Sequence, residues 1–187
     1  MASLRCFIAL PTSPEVKDAI SAVQKMLIAT EADVRWESND KFHITLKFLG
    51  NSEQSVVNSF SSKLELLPQN VSYIRVLYNS IGAFPDVQRP KVIWVGIEEN
   101  AEVKKLQNEI ESLCAEFGYK REEREFHPHI TLGRVKGNKN LHLLTDMLKS
   151  LTLEPIQARC SEILLIRSDL KPSGSVYTTL KSFPFHA

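Results

Sequence analysis

The chain has 187 residues, 43% hydrophobic and 24% charged, which is enough for one sizeable core or two small lobes and excludes a disordered or collagen-like polymer. Its 23 Lys and Arg against 22 Asp and Glu leave a net charge of +1, without the basic excess of a protein that grips long nucleic acid, so an anionic ligand should be short or terminal. No stretch approaches the roughly 18 apolar residues of a membrane span, and MASLRCFIALPTSP passes into a strand and a helix rather than a signal-type core, so a cytoplasmic protein with no membrane partner is expected.

In chain order, Leu4 to Leu10 reads as a strand. Ser13 is a suitable N-cap with Pro14 at the first helical position, and Val16, Ile20, Val23 and Leu27 follow at helical spacing. A short extended piece, Asp33 to Trp36, precedes FHITLKFLG, where Phe42, Ile44, Leu46 and Phe48 alternate with His43, Thr45 and Lys47 as in a strand with one apolar face. Val56, Val57, Phe60, Leu64 and Leu67 suggest a second helix, ended by Pro68, before an extended stretch from Val71 to Ser80.

The second half replays this order. Lys91 to Ile97 reads as a buried strand, and Val103, Leu106, Ile110, Leu113 and Phe117 mark a helix stopped at Gly118. A second histidine strand covers Phe126 to Val135, followed by a helix over Leu141 to Leu151. Strands at Glu162 to Arg167 and Val176 to Ser182 are joined through the turn formers Pro172 and Gly174. The whole of 1–187 is therefore read as one domain with pseudo-repeat halves of about 1–81 and 91–187 and a seam at Gly82 to Pro90. The expected class is α+β: a bilobal duplicated unit with two facing, largely antiparallel sheets, helices outside and an active-site cleft between the lobes.

His-Ile-Thr-Leu is spelled twice, at His43 to Leu46 and at His129 to Leu132, although histidine occurs only five times in the chain. On a strand His43 and Thr45 share one face while Ile44 and Leu46 anchor the other, and His129 and Thr131 repeat the pattern. Two such strands beside one cleft form a symmetrical cradle for a tetrahedral anion. Displacement at phosphorus needs a base on one side and an acid on the other, and two imidazoles supply both near neutral pH. Threonine hydroxyls can donate to the nonbridging oxygens, where charge accumulates. The motif carries no carboxylate or thiolate, so no metal and no cofactor are expected.

The chain resembles the two-histidine phosphoesterase superfamily, and within it the RNA 2',3'-cyclic phosphodiesterases also called 2'-5' RNA ligases. The resemblance rests on RCFIAL, FHITLKFLG, GAFP, RPKVIWVGI, FHPHITLGRV and SDLKPSGSVYTTL, which span nearly the whole chain. It implies a bilobal fold and hydrolysis of a terminal 2',3'-cyclic phosphate on RNA to a 2'-phosphate. By the same resemblance His43 is the proton donor and His129 the acceptor that activates water, although the near-palindrome of the motifs does not by itself assign the roles. The expected partner is the 3' end of an RNA, or a nucleotide, bearing the cyclic phosphate, with no obligatory protein partner and a monomeric state. Three other readings stay open: 2'-5' ligation at the same site, a non-catalytic RNA-end or nucleotide-binding module, and the same chemistry on a small cyclic phosphate unrelated to RNA.

Arg134 stands where the family commonly holds phosphate. Strict alternation aims it away from His129, but a bulge at Gly133 would turn it inward. Lys47 shares parity with His43 and either faces the anion or the solvent. Phe7, Phe48 and Tyr177 are candidates for stacking on the terminal base, although the alternation favours core packing for Phe48. His127 beside His129 suggests a metal pair only if a third ligand lies near. His142 and His186 read as surface and tail residues, and Cys6, Cys114 and Cys160 as reduced core thiols.

Overall fold

The computed structural model describes residues 3–67, 72–172 and 174–186. The first half contributes β1 (Ser3–Pro11), α1 (Pro14–Ile28), β2 (Val34–Trp36), a 3-10 turn at Asn39–Lys41, β3 (His43–Glu53), α2 (Gln54–Leu64) and β4 (Ile74–Phe84). The second contributes β5 (Val92–Ile97), α3 (Ala101–Glu116), β6 (His129–Val135), α4 (Leu141–Ser150), β7 (Ile156–Cys160), β8 (Glu162–Lys171) and β9 (Gly174–Pro184). Local chemistry accounts for most boundaries. Ser13 accepts from the Val16 amide at α1, Asn100 does the same for Val103 at α3, and Gly118 takes the positive φ that closes α3.

Several elements differ from the sequence reading: β4 runs to Phe84 rather than Ser80, β8 to Lys171 rather than Arg167, and β9 over Gly174–Pro184 rather than Val176 to Ser182. β6 begins at His129 rather than Phe126, because Pro128 lacks an amide for the ladder. α2 stops at Leu64, before the expected terminator Pro68, which lies outside the described residues, as does Val71 at the start of the expected extended stretch. β7 has no counterpart in the sequence reading: its five residues follow Pro155, and their Ile156, Ala158, Cys160 alternation is short and weakly apolar.

The strands form two antiparallel sheets, ordered β3-β1-β8-β9 and β2-β6-β5-β4-β7. Each sheet carries one histidine strand, in α+β architecture. Strand membership crosses the sequence midpoint: β8 and β9 complete the sheet of β1 and β3, while β2 and β4 join the sheet of β5 and β6. Gly82 to Phe84 finish β4 and pair with β5, so the stretch from Gly82 to Pro90 is partly strand and partly turn. One continuous core, including Ile8, Ile44, Phe60, Tyr78, Ile110, Ile130 and Leu165, joins both sheets to the helices. Burial of this apolar face is the main stabilising term. β3 and β6 meet at the junction, with Cα atoms within 8 Å of each other.

Candidate active site

Both histidine strands break their alternation at the same place. In β3, Ala9 faces Thr45 and Ile8 faces Lys47, leaving Leu46 as an extra residue; in β6, Trp94 faces Thr131 and Ile93 faces Gly133, leaving Leu132 extra. An extra residue flips the faces of everything after it. His43, Thr45 and Phe48 therefore share the cleft side of β3, and His129, Thr131 and Arg134 share that of β6. All six line one small pocket of about 30 Å³, together with Glu37, Lys41 and Tyr177.

Two expectations are corrected by the first bulge. Lys47 turns into the interior, where it is 6% exposed, ion-pairs with Glu111 at 2.9 Å and donates to the Lys120 carbonyl at 2.7 Å. Phe48 leaves the core face and is 61% exposed at the cleft. Phe7 differs from its sequence reading as well: it is buried, with His43 stacked on it at 4.8 Å, and so offers no face to a base. Tyr177 packs edge-on against both Phe7 and His43 and borders the pocket.

Each imidazole is fixed by a carbonyl two residues upstream. His43 Nδ1 lies 2.6 Å from the Lys41 carbonyl, and His129 Nδ1 lies 2.6 Å from that of His127. A carbonyl only accepts, so Nδ1 carries the hydrogen and donates, which leaves Nε2 of each neutral ring with a lone pair. His43 Nε2 is 3.1 Å from the Thr45 hydroxyl, which donates to it. Burial pushes the His43 pKa down from 6.5 to about 4, against the raising effect of the Lys41 carbonyl, and the charge of His129 lowers it further. Burial likewise lowers His129, opposed by the His127 carbonyl and reinforced by the charges of His127 and Arg134. An anion placed between the rings would act in the opposite sense, because nearby negative charge favours the protonated form.

The sequence reading missed the residues that hold the two motifs together. Gln24, buried on the apolar stripe of α1, donates through Nε2 to the Glu37 carbonyl at 2.8 Å and the Leu132 carbonyl at 2.9 Å. The Glu37 amide also donates to Leu132, and the Glu37 carboxylate lies 3.6 Å from the Lys41 ammonium. One amide side chain thus ties the second bulge to the segment leading into the first motif. Its only signal in the sequence is a polar residue between Ile20 and Leu27 on an otherwise apolar stripe. Trp94 was also missed. It packs near Phe84, His127 and His129, and a Cβ at either Gly82 or Gly96 would collide with its ring.

His127 participates through its backbone, and among the described residues no cluster of three His, Cys, Asp or Glu side chains is arranged to hold a metal ion. His142 and His186 are exposed and lie outside the pocket. Cys6, Cys114 and Cys160 are buried and unpaired, with burial pushing the thiols of Cys114 and Cys160 up to about 12 and about 11. Among the described residues no helix is long and apolar enough to cross a membrane.

The sequence model of the 2'-5' RNA ligase superfamily matches residues 12–172. A protein of Aeropyrum pernix named RNA 2',3'-cyclic phosphodiesterase is 31% identical over 163 residues, covering 86% of this chain and 92% of its own length. Its namesake from Aquifex aeolicus is 30% identical and covers 98% of both chains. Among solved structures, a Thermus thermophilus protein superposes with a TM-score of 0.81 over 97% of this chain and 98% of its own at 23% identity. E. coli LigT complexed with ATP gives 0.76 over the full length of both at 23% identity. These two likenesses speak to the fold.

Proposed function

The chain belongs to the 2'-5' RNA ligase superfamily of two-histidine phosphoesterases, and from that premise we propose that it hydrolyses the 2',3'-cyclic phosphate at the end of an RNA to a 2'-phosphate. The observation that carries this reading is the convergence of two bulged histidine strands on one pocket with Arg134 beside them. The relatives named RNA 2',3'-cyclic phosphodiesterase support the same substrate class.

In the proposed reaction His129 Nε2 takes a proton from water as the water oxygen bonds to phosphorus. The bond from phosphorus to the 3' oxygen breaks on the opposite side, and protonated His43 gives its proton to that oxygen. Proton exchange with solvent resets both rings. Thr45, Thr131 and Arg134 donate to the nonbridging oxygens as their charge grows. Tyr177 and Phe48 form the apolar side of the terminal nucleoside's seat, with Phe48 as the stacking face. Every proton transfer is assigned to an imidazole, so the activity should survive a chelator, and we place the enzyme in the cytoplasm as a monomer that needs no protein partner.

The test is an oligonucleotide ending in a 2',3'-cyclic phosphate, with the position of the product phosphate identified. Turnover to a 2'-phosphate, lost in both His43→Ala and His129→Ala, is expected. A 3'-phosphate would reverse the assignment of the leaving oxygen, and tight binding without turnover would make the protein an RNA-end binder. The near-symmetric pair of imidazoles also suits the reverse use of the site, in which a 5'-hydroxyl replaces water and a 2'-5' linkage forms. Supplying RNA ends bearing 5'-hydroxyls and looking for joined product measures that reaction, which dilute aqueous conditions disfavour relative to hydrolysis.

A further inference from the structure

A groove of about 860 Å³ continues from the phosphate pocket, sharing Thr45, Phe48, His129, Thr131 and Arg134 with it. Beyond Phe48, its other lining includes Phe84, Lys91, Arg124, Phe126 and His127, residues to which the reaction above gives no side-chain role. It offers more room than a single nucleoside seated on Phe48 requires.

Two features make this lining a built surface. Phe84 stands edge-on to both His127 and His129, with ring centroids at 5.8 and 5.0 Å, and its carbonyl accepts from the Lys91 amide at 2.7 Å. Lys91, exposed, is thereby held beside the aromatic cluster. The 120–127 segment, which supplies Arg124, Phe126 and His127, is anchored from inside: Lys47 donates to the Lys120 carbonyl, and Glu111 accepts from the Glu122 amide at 3.3 Å. The buried Lys47–Glu111 pair therefore braces the groove as well as the first bulge. Aromatic rings flanked by exposed cations are the surface on which single-stranded nucleic acid stacks a base and rests a phosphate. Glu122 and Glu125 share the same lining, which with the near-zero net charge suits one added nucleotide rather than a long polyanionic track.

We propose that this aromatic wall is a subsite for the nucleotide preceding the terminal one, so that single-stranded RNA of two or more nucleotides is preferred over a cyclic mononucleotide. Its base packs against Phe84, Phe126 and His127, and the connecting phosphate lies near Lys91 or Arg124. This inference rests on the hydrolase reading and adds the part of the substrate beyond the reacting nucleotide.

The experiment compares kcat/KM for a cyclic mononucleotide, a dinucleotide and a trinucleotide ending in the cyclic phosphate, in the wild type and in a Lys91→Ala/Arg124→Ala variant. Both residues are exposed, and neither is in the phosphate pocket. The dinucleotide should exceed the mononucleotide by about tenfold or more, as expected for one stacked base and one phosphate contact, with little further gain for the trinucleotide. The variant should lose most of that advantage while keeping its mononucleotide rate. Equal kcat/KM for mononucleotide and dinucleotide in the wild type, or an equal loss on both in the variant, overturns the subsite and leaves the hydrolase reading standing. No turnover of any of the three substrates overturns both.

Discussion

The two copies of His-Ile-Thr-Leu share sequence, bulge and histidine geometry and then diverge over the next two residues. After the first, Lys47 points inward to Glu111 and Phe48 outward into the cleft; after the second, Gly133 points inward and Arg134 outward. One backbone device thus delivers an aromatic face on one side of the pocket and a guanidinium on the other. The inward residues differ for steric reasons. A Cβ at Gly133 would lie 2.7 Å from Val34 and 2.8 Å from Trp36, whereas the interior behind β3 holds a long lysine and its carboxylate partner. The pocket is paired at its histidines and asymmetric at its rim, and under the proposed function that asymmetry would distinguish the base of a substrate from its phosphate.

The most severe way to break the comparison is to remove either ring. His43→Ala and His129→Ala should each reduce kcat on the cyclic-phosphate substrate by about a thousandfold, within the range for losing a general acid or base. A residual rate near wild type in one of them would show that the two copies are not a working pair. Next in size is the buried ion pair. Glu111→Ala leaves Lys47 charged and unpaired in the interior, and chemical denaturation should register a loss of about 3–5 kcal/mol. Replacing both by apolar residues of similar size, as in Lys47→Met/Glu111→Leu, should recover most of that stability.

Smaller effects sharpen the difference between the rims. Arg134→Ala should lower kcat by about a hundredfold through lost charge stabilisation, whereas Phe48→Ala should mainly raise KM, by about tenfold through lost stacking. If both act on the same kinetic parameter, the division of labour between the copies is wrong. Gln24→Leu keeps the bulk of the buried side chain but leaves the Leu132 carbonyl with the Glu37 amide as its one remaining partner of the two. A decrease of about tenfold in kcat, with Tm little changed, is the expected signature of a shifted bulge.

The mildest change comes from pH. Burial lowers both imidazoles, so kcat/KM, which follows the free enzyme, should peak below 6.5. It declines on the acid side as the acceptor is protonated and on the alkaline side as the donor loses its proton. The phosphate in the complex favours both protonated rings, so the kcat profile should lie at higher pH than that of kcat/KM. Coincident profiles would show that the bound anion does not couple to the histidines.

Much of this architecture was legible in the chain. The apolar stripes of α1 and α3, the Ser13 cap, the Gly118 stop, and the alternation around His43 and His129 are local signals, and local signals survive without knowledge of the fold. The difficulty lay just beyond the motifs. Strict alternation placed Lys47 in the cleft and Phe48 in the core, and a single unpaired leucine reverses both. For Arg134 the neighbouring glycine was a usable hint, since a bulge there needed no side-chain space. No comparable hint existed for Phe48, because Lys47 gives no sign of being interior until Glu111, 64 residues later, is brought beside it. Gln24 was hidden for the same reason: the carbonyl of Leu132 that it binds is 108 residues away.

The sequence alone determined the helices, the strand faces up to each threonine and the residue types of the paired motifs, because these depend on periodicity and on chemistry within a few neighbours. Tertiary structure alone decided which strands share a sheet, where the alternation slips, and which of Lys47, Phe48, Gly133 and Arg134 faces the cleft. Those outcomes depend on pairing register and on burying charge beside its partner, and both are properties of segments that meet only when the chain is folded.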